Sequence, residues 1–313
     1  MKLYISHMTQ YSYAEPITDS INEIRLTPST NERQSCYNHS ISIEPNAPLF
    51  TYEDCFGNRV HAFSVNQPHT KLTIRTNMTL VTTESYTNEE SLLKQQLKPA
   101  EAWARLMSDE LVDRFIEFLL PTSYTEVTPE IVSFMGQVPV VGTVHDSSAA
   151  AEGGGGVTVD VTPAVGVYDW LAVLSKHIRT SFIYDPSATN VKTKASEMIT
   201  MRRGVCQDFA HLMIAVCRAR GVPARYVSGY HFVGDLQGGS ADFEQASHAW
   251  VEAYVPKLGW CGFDPTNESP IGERYVKLAH GRDYKDIVPV KGIYQGTGDQ
   301  SLQVTVDVRK VEE

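Results

Sequence analysis

The sequence predicts an α+β protein in which an all-β, sandwich-like domain precedes a core that packs a helix against an antiparallel sheet. Three observations predict this class. Through about residue 85, apolar and polar residues alternate between frequent turn signals, which is typical of short antiparallel strands. From Pro99 onwards, apolar residues recur at helical spacing. Beyond Ala224 the alternation returns and closes in a hairpin over residues 247–266.

The first domain, residues 1–88, is predicted to consist of strands. Alternating runs cover residues 3–13 and 71–81, a short strand is predicted at 41–43, and another over Arg59–Val65 follows a turn. Many short strands separated by turns favour a sandwich or a barrel. Few ionisable residues cluster in this part of the sequence, so we interpret it as a packing or recognition module.

A helical connector is predicted over residues 89–163. Pro99 can open a helix because its missing N–H is not needed at the first helical position, and Pro121 ends that helix. A second, short helix is predicted to begin near Thr128. The four glycines at 153–156 predict a flexible loop, since the stretch lacks the Gly-Lys-Ser/Thr ending of a phosphate-binding loop.

The core, residues 164–313, begins with helices. An apolar stripe over residues 167–182 predicts one helix, and a second is predicted over 193–201. The next helix is the most informative, because Cys206 stands at its first residue and Gly221 ends it. The free N–H groups and the dipole at a helix N-terminus favour the thiolate, which is the reactive form of cysteine.

A hairpin then brings a histidine and an aspartate together. Three strands are predicted, over residues 224–230, Ser247–Val255 and 260–266. A turn centred on Lys257 pairs Trp250 with Asp264. This register places Asp264 diagonal to His248 on one face, within reach of a side-chain hydrogen bond. A slip of one residue would move the two side chains to opposite faces.

Cysteine, histidine and aspartate in this arrangement suit nucleophilic catalysis. Cys206 would be the nucleophile, His248 would accept and return its proton, and Asp264 would orient the imidazole. The backbone N–H of Cys206 would face the oxyanion. A zinc site formed by Cys206, His211, His248 and Cys261 is disfavoured, because the chain has no closely spaced pair of ligands.

Charge and composition exclude several partners. The chain has 27 basic and 37 acidic residues, a formal net charge of −10, which argues against binding to nucleic-acid phosphates. No apolar run approaches the roughly 18 residues needed to cross a bilayer, so no membrane partner is expected. The five cysteines include no CxxC pair, and no signal peptide is evident. A reducing, cytoplasmic location without a disulfide framework is therefore predicted.

Four segments in chain order resemble the bacterial transglutaminase-like superfamily, whose members are often labelled cysteine proteases. They are RGVCQDFAH (203–211), GVPARYVSGY (221–230), SHAWVEAY (247–254) and GWCGFDPTN (259–267). Residues 9–13, 26–28 and 54–58 also resemble the N-terminal β region of that family, and residues 281–290 resemble a later part of it. The resemblance implies a papain-like, transglutaminase-like catalytic core. It also matches Cys206, His248 and Asp264 with the nucleophile, base and orienting residue.

Four further residues are candidates for substrate or oxyanion contacts. Gln207 follows the nucleophile and could support the oxyanion, whereas Trp250 and Tyr226 could line the cleft. Tyr184 is the candidate for the aromatic residue that animal transglutaminases place beside the thiol. For each of these side chains, ordinary packing or helix capping is the alternative role.

The sequence thus predicts a thiol enzyme that transfers an acyl group from a peptide or amide bond. Hydrolysis, as in a cysteine peptidase or amidohydrolase, is the first interpretation. Peptide or protein cross-linking of the transglutaminase type is the first alternative, because the same triad serves both reactions. A non-catalytic protein-binding module is the second alternative. No metal or other cofactor is expected, the substrate is a peptide or protein, and the oligomeric state is not specified.

Overall fold

The computed structural model of the chain describes residues 1–84, 96–139, 165–234, 247–296 and 298–311. The predicted flexible loop at 153–156 lies outside the described residues, as does the rest of the predicted connector beyond residue 139. No disulfide joins the cysteines in the described part of the chain; all five are free.

One long strand, β1 (Lys2–Ile24), organises the first sheet. The neighbouring strands are β2 (Gln34–Glu44), β3 (Phe50–Glu53), β4 (Arg59–Val65) and β5 (His69–Thr82). They pair antiparallel in the order β2-β5-β1-β4-β3. The first part of β1 pairs with β5, and the last part of β1 pairs with β4. The predicted strands are therefore confirmed, and their alternate residues fill an apolar core.

The last two strands of the chain also belong to this first sheet. They are β12 (Val290–Gln295) and β13 (Gln300–Lys310), and both pair antiparallel with β1. The predicted bounds of the core, residues 164–313, include these two strands, whereas the backbone pairing places them in the β domain. That domain is thus assembled from both ends of the chain.

The helices largely follow the predicted spacing. They are α1 (Pro99–Leu106), α2 (Asp109–Leu119), α3 (Pro129–Gly136), α4 (Val167–Ser181), α5 (Ala195–Met201) and α6 (Cys206–Ala219). The single helix predicted from Pro99 to Pro121 is wrong, because the chain becomes extended at Ser108. The hydroxyl of Ser108 donates to the carbonyl of Arg105 at 2.8 Å, a local bond that competes with helical pairing. No helix among the described residues is long and apolar enough to cross a membrane.

The second sheet carries the hairpin. Its strands are β8 (Ala224–His231), β9 (Ser247–Val255), β10 (Gly259–Phe263) and β11 (Tyr275–Gly281), in the antiparallel order β10-β9-β8-β11. Helix α6 packs against this sheet with its side chains buried from Gln207 to Arg218. Gly221, at φ +77°, ends the helix in the left-handed region that favours glycine.

The two sheets are joined through β8 and β11. Side chains of Tyr230 and Val276 pack into the apolar core of the first sheet. The amide of Asn58 both donates to the carbonyl and accepts from the N–H of His280. The second sheet therefore lies between α6 on one side and the β domain on the other, which fixes the position of the hairpin.

Candidate active site

Cys206 is the first residue of α6, as the sequence predicts. Two short strands lead to it, β6 (Ile183–Tyr184) and β7 (Arg203–Gly204), which pair in parallel. The carboxylate of Asp208 accepts the N–H of Val205 at 2.9 Å and the hydroxyl of Thr189 at 2.6 Å. Asp208 thereby caps the helix N-terminus, and Cys206 is held at the mouth of the site with its side chain partly exposed.

The predicted hairpin register is confirmed. Trp260 pairs with Tyr254, and the ladder runs on to Phe263 opposite Val251. The next position along the ladder sets Asp264 opposite Trp250 and therefore diagonal to His248. Nε2 of His248 lies 2.7 Å from Oδ2 of Asp264, and both side chains are buried.

The imidazole of His248 also reaches the cysteine. The side chain of Cys206 lies near enough to this ring to contribute to the raised pKa of His248. Because Nε2 is bonded to Asp264, Nδ1 is the ring nitrogen left to face the sulfur. The structure therefore brings the three predicted residues together in the order Cys206, His248, Asp264, from the partly exposed cysteine to the buried aspartate.

The charges of the pair stabilise each other. Burial opposes the charged form of His248, but the attraction and hydrogen bond of Asp264, together with the Cys206 side chain, raise its pKa to about 10. Burial likewise opposes the charged form of Asp264, but His248 and the donors from Thr266 and Asn267 hold the pKa of this carboxyl well below its ordinary value. The imidazolium–carboxylate form is thus the favoured state of the resting site at neutral pH.

This pair predicts a pH-dependent stability. Between the ordinary histidine pKa of 6.5 and about 10, folded His248 holds a proton that the unfolded chain releases. Its contribution to the free energy of unfolding is complete below pH 6.5 and is lost as pH rises through about 10, by up to about 1.4 kcal/mol per pH unit. We expect the stability difference between Cys206→Ala and Cys206→Ala/His248→Gln, measured by urea denaturation, to fall as the pH rises above 6.5, because in this background no proton can pass from the sulfur to the imidazole. A difference that stays constant from pH 7 to 10 would contradict the raised pKa.

Several groups besides His248 donate hydrogen bonds to the carboxylate of Asp264. Its Oδ1 accepts the N–H and hydroxyl of Thr266 and the N–H of Asn267. Its Oδ2 accepts the side-chain amide of Asn267 and the hydroxyl of Tyr275, both at 2.9 Å. Thr266, Asn267 and Tyr275 are not among the residues predicted from the sequence. The Asp-Pro-Thr-Asn run could have indicated Thr266 and Asn267, because an aspartate commonly accepts the backbone N–H groups that follow it.

Of the four additional candidates, Tyr184 and Gln207 lie at the site. Tyr184 pairs through the backbone with Gly204, and its hydroxyl is within hydrogen-bonding reach of both the backbone and the side chain of Cys206. Tyr184 remains 46% exposed, so one side of its ring faces the solvent. Gln207 is buried, and its side-chain amide donates to the carbonyl of Val191 at 3.2 Å. That bond ties the loop before α5 to the helix that carries Cys206.

The expectation that Trp250 and Tyr226 line the cleft is wrong. Trp250 is 2% and Tyr226 is 3% exposed, so neither ring presents a surface to a substrate. Trp250 lies over Gly229, where a Cβ atom would come within 2.6 Å of its ring. Tyr226 packs against the ring of His211. Alternation along a strand distinguishes its two faces but does not show what covers each of them.

The residues of the zinc alternative do not converge. His211 is fully buried, where it accepts the N–H of Tyr284 and packs against Tyr124 and Tyr226. Burial lowers its pKa to about 3, with a smaller contribution from Arg218, so its ring is neutral. In the described ranges, no three histidine, cysteine or acidic side chains are close enough to one another to hold a metal ion.

Comparison with known proteins points to one family. The bacterial transglutaminase-like N-terminal region matches residues 3–80, and the transglutaminase-like superfamily matches residues 149–265. The chain is 35% identical to an uncharacterised protein of Mycobacterium leprae (strain TN) over 99% of both sequences. It is 31% identical to an uncharacterised protein of Mycobacterium tuberculosis, covering 97% of this chain and 91% of that protein.

Two further similarities concern proteins whose names include an activity. A solved structure named as a "Putative Cysteine Protease" from Cytophaga hutchinsonii superposes with a TM-score of 0.70 at 22% identity, covering 100% of this chain and 92% of that one. This superposition supports the fold. A protein-glutamine gamma-glutamyltransferase of Pseudomonas aeruginosa is 34% identical over 105 residues, which are 30% of this chain and 15% of that protein.

Proposed function

The chain belongs to the transglutaminase-like superfamily, and on that basis we propose that it is a thiol-dependent acyl-transfer enzyme acting on peptide or amide bonds. One observation carries the proposal. Nε2 of His248 is hydrogen-bonded to Asp264, and the side chain of Cys206 lies near enough to the same ring to raise its pKa. This arrangement allows a proton to move between sulfur and imidazole while the carboxylate stabilises the resulting charge.

The first half of the reaction forms a thioester. His248 holds the proton of Cys206, and the thiolate sulfur attacks the carbonyl carbon of the substrate. As the tetrahedral intermediate collapses, the carbon–nitrogen bond breaks and the nitrogen takes the proton from Nδ1 of His248. The amine leaves, and the acyl group remains on the sulfur.

The second half releases the acyl group. Neutral His248 removes a proton from water, the resulting hydroxide attacks the thioester, and the proton returns to the sulfur as a carboxylic acid leaves. Asp264 keeps Nε2–H pointed toward itself throughout, so that Nδ1 faces the sulfur and the acyl group. We assign hydrolysis as the first activity and the cysteine peptidase or amidohydrolase class as the proposed identity.

The oxyanion of both intermediates needs donors near Cys206. The backbone N–H of Cys206 is one candidate, since the first N–H groups of a helix have no partner within it. The Tyr184 hydroxyl is a second candidate, because it lies within hydrogen-bonding reach of this residue. The side chain of Gln207 is bonded to Val191 and would have to release that carbonyl to take part.

Cross-linking is the second candidate function. The similarity to the gamma-glutamyltransferase of Pseudomonas aeruginosa favours it, because that reaction uses the same acyl-enzyme. The two functions differ only in the acceptor: water yields an acid, whereas an amine yields a new amide and releases no acid. Solvent access to the thioester decides between them.

One experiment tests the acyl-enzyme and its acceptor together. The protein is mixed with p-nitrophenyl acetate, quenched in acid, digested and analysed by mass spectrometry. We expect an acetyl thioester on Cys206 that decays to acetate at the same rate with or without added cadaverine. Formation of acetylcadaverine would instead favour cross-linking. Acetylation of the partly exposed Cys36 and the exposed Cys55 to the same extent as Cys206 would contradict both functions.

A further inference from the structure

We propose that Tyr275 is a positioning residue, which fixes the Asp264 carboxylate and weakens its pull on the proton of His248. The inference rests on the proposed function, since it assigns a part to a residue outside the triad. Tyr275 opens β11, on the far side of β8 from the hairpin.

The hydroxyl of Tyr275 shares an oxygen with the histidine. It donates to Oδ2 of Asp264 at 2.9 Å, and Nε2 of His248 is 2.7 Å from the same atom. The hydroxyl has a single hydrogen. The other acceptor near it, the carbonyl of Ser269, is farther away at 3.4 Å and uncharged. The charged and closer acceptor forms the stronger bond, so the hydrogen points to the carboxylate.

The ring of Tyr275 is fixed on two sides. It stacks on His231 with centroids 4.3 Å apart and an interplanar angle of 16°. It meets the Trp250 ring edge-on at 5.4 Å. Only 5% of the residue is exposed. A hydroxyl carried on so constrained a ring holds its acceptor in one place, which is what a positioning role requires.

Sharing an acceptor weakens each bond to it. A donor that takes part of the charge on Oδ2 lowers the affinity of that oxygen for the imidazolium proton. Among the described residues, the other ionisable groups beside His248 are Cys206 from α6 and His231 from β8. Burial lowers the pKa of His231 to about 4, so this neighbour is neutral and adds no competing charge. Arg274 adjoins His231 and is unchanged in the variants below.

The decisive variant is Tyr275→Phe, which removes one hydroxyl and keeps the ring. The pKa of His248 is followed by NMR of histidine-labelled protein in a Cys206→Ala background, so that no thiolate contributes. We expect removal of the hydroxyl to raise this pKa by about half a unit to one unit. In the protein with Cys206 intact, kcat should fall about 3- to 10-fold with KM within twofold, because a more basic imidazolium yields its proton less readily.

Two further proteins make the test specific. Tyr230→Phe removes another buried hydroxyl from this sheet, one that is bonded to His7 instead of Asp264, and should leave the pKa of His248 unchanged. A fluorinated tyrosine at position 275 is a stronger donor and should lower that pKa. If neither change at position 275 moves the His248 titration, the inference is wrong even when turnover depends on Cys206. If the titration moves but no variant turns over substrate, the proposed function fails and the positioning role stands.

Discussion

Replacing Cys206 with alanine is expected to abolish turnover, with a loss of about 10⁴- to 10⁶-fold, and to leave the fold intact. The reason is that the proposed reaction passes through a bond to this sulfur, and the remaining groups can only polarise the substrate. Cys206 is partly exposed at the first residue of α6. Its truncation leaves no large cavity, and we expect the free energy of unfolding to change by less than about 1 kcal/mol.

Cys217→Ala is the matched control, because this cysteine lies in the same helix and is fully buried. It should lower the free energy of unfolding by about 1–2 kcal/mol through lost packing and should retain turnover. Turnover with p-nitrophenyl acetate and urea denaturation are measured for both variants. Activity that survives in purified Cys206→Ala would mean that another residue is the nucleophile.

The second large expected effect distinguishes the roles of His248 and Asp264 in turnover. Asp264→Asn is expected to lower turnover by up to about 10⁴-fold, the loss seen when the serine-protease aspartate is changed to asparagine, because the amide favours the wrong imidazole tautomer. His248→Ala should lower turnover at least as much, since it removes the group that carries the proton. The two variants should differ most in the reactivity of Cys206 before any substrate is present.

Alkylation by iodoacetamide measures that reactivity at each cysteine. We expect Asp264→Asn to retain more of the wild-type rate at Cys206 than His248→Ala does, because an imidazole still lies beside the sulfur. Asp286→Asn is the control, since this carboxylate is bonded to Arg282, away from the cleft. Equal rates for wild type and His248→Ala across the neutral range would show that His248 is not the partner of Cys206.

Local signals explain why the helix position of Cys206 and the pairing of His248 with Asp264 could be predicted. A helix start can be recognised from a few residues, and the alternation along Ser247–Val255 together with one turn fixes the register of the hairpin. That register sets Asp264 diagonal to His248, as the structure has it. The position of Cys206 beside His248 depends on long-range packing of α6, and the family resemblance supplied it.

The missed features depend on contacts between distant parts of the chain. The burial of Trp250 results from β8 and β11, and the hydroxyl on Asp264 comes from Tyr275 in β11. Nothing in the spacing around either residue indicates these neighbours. The same holds for β12 and β13, since nothing in the sequence around them indicates that their partner is β1.

The assembly of the first sheet from both ends of the chain has a consequence for folding. Leu3 pairs with Leu80 on one side and with Lys310 on the other, so the second contact closes a loop of about 300 residues that contains α6 and the second sheet. Long-range strand pairing is slow because the entropy of closure must be overcome first. During synthesis, β1 therefore keeps an open edge after the Cys206 helix and the hairpin have left the ribosome. A chain stopped before residue 300 would retain that edge, with its unpaired N–H and C=O groups available to another molecule.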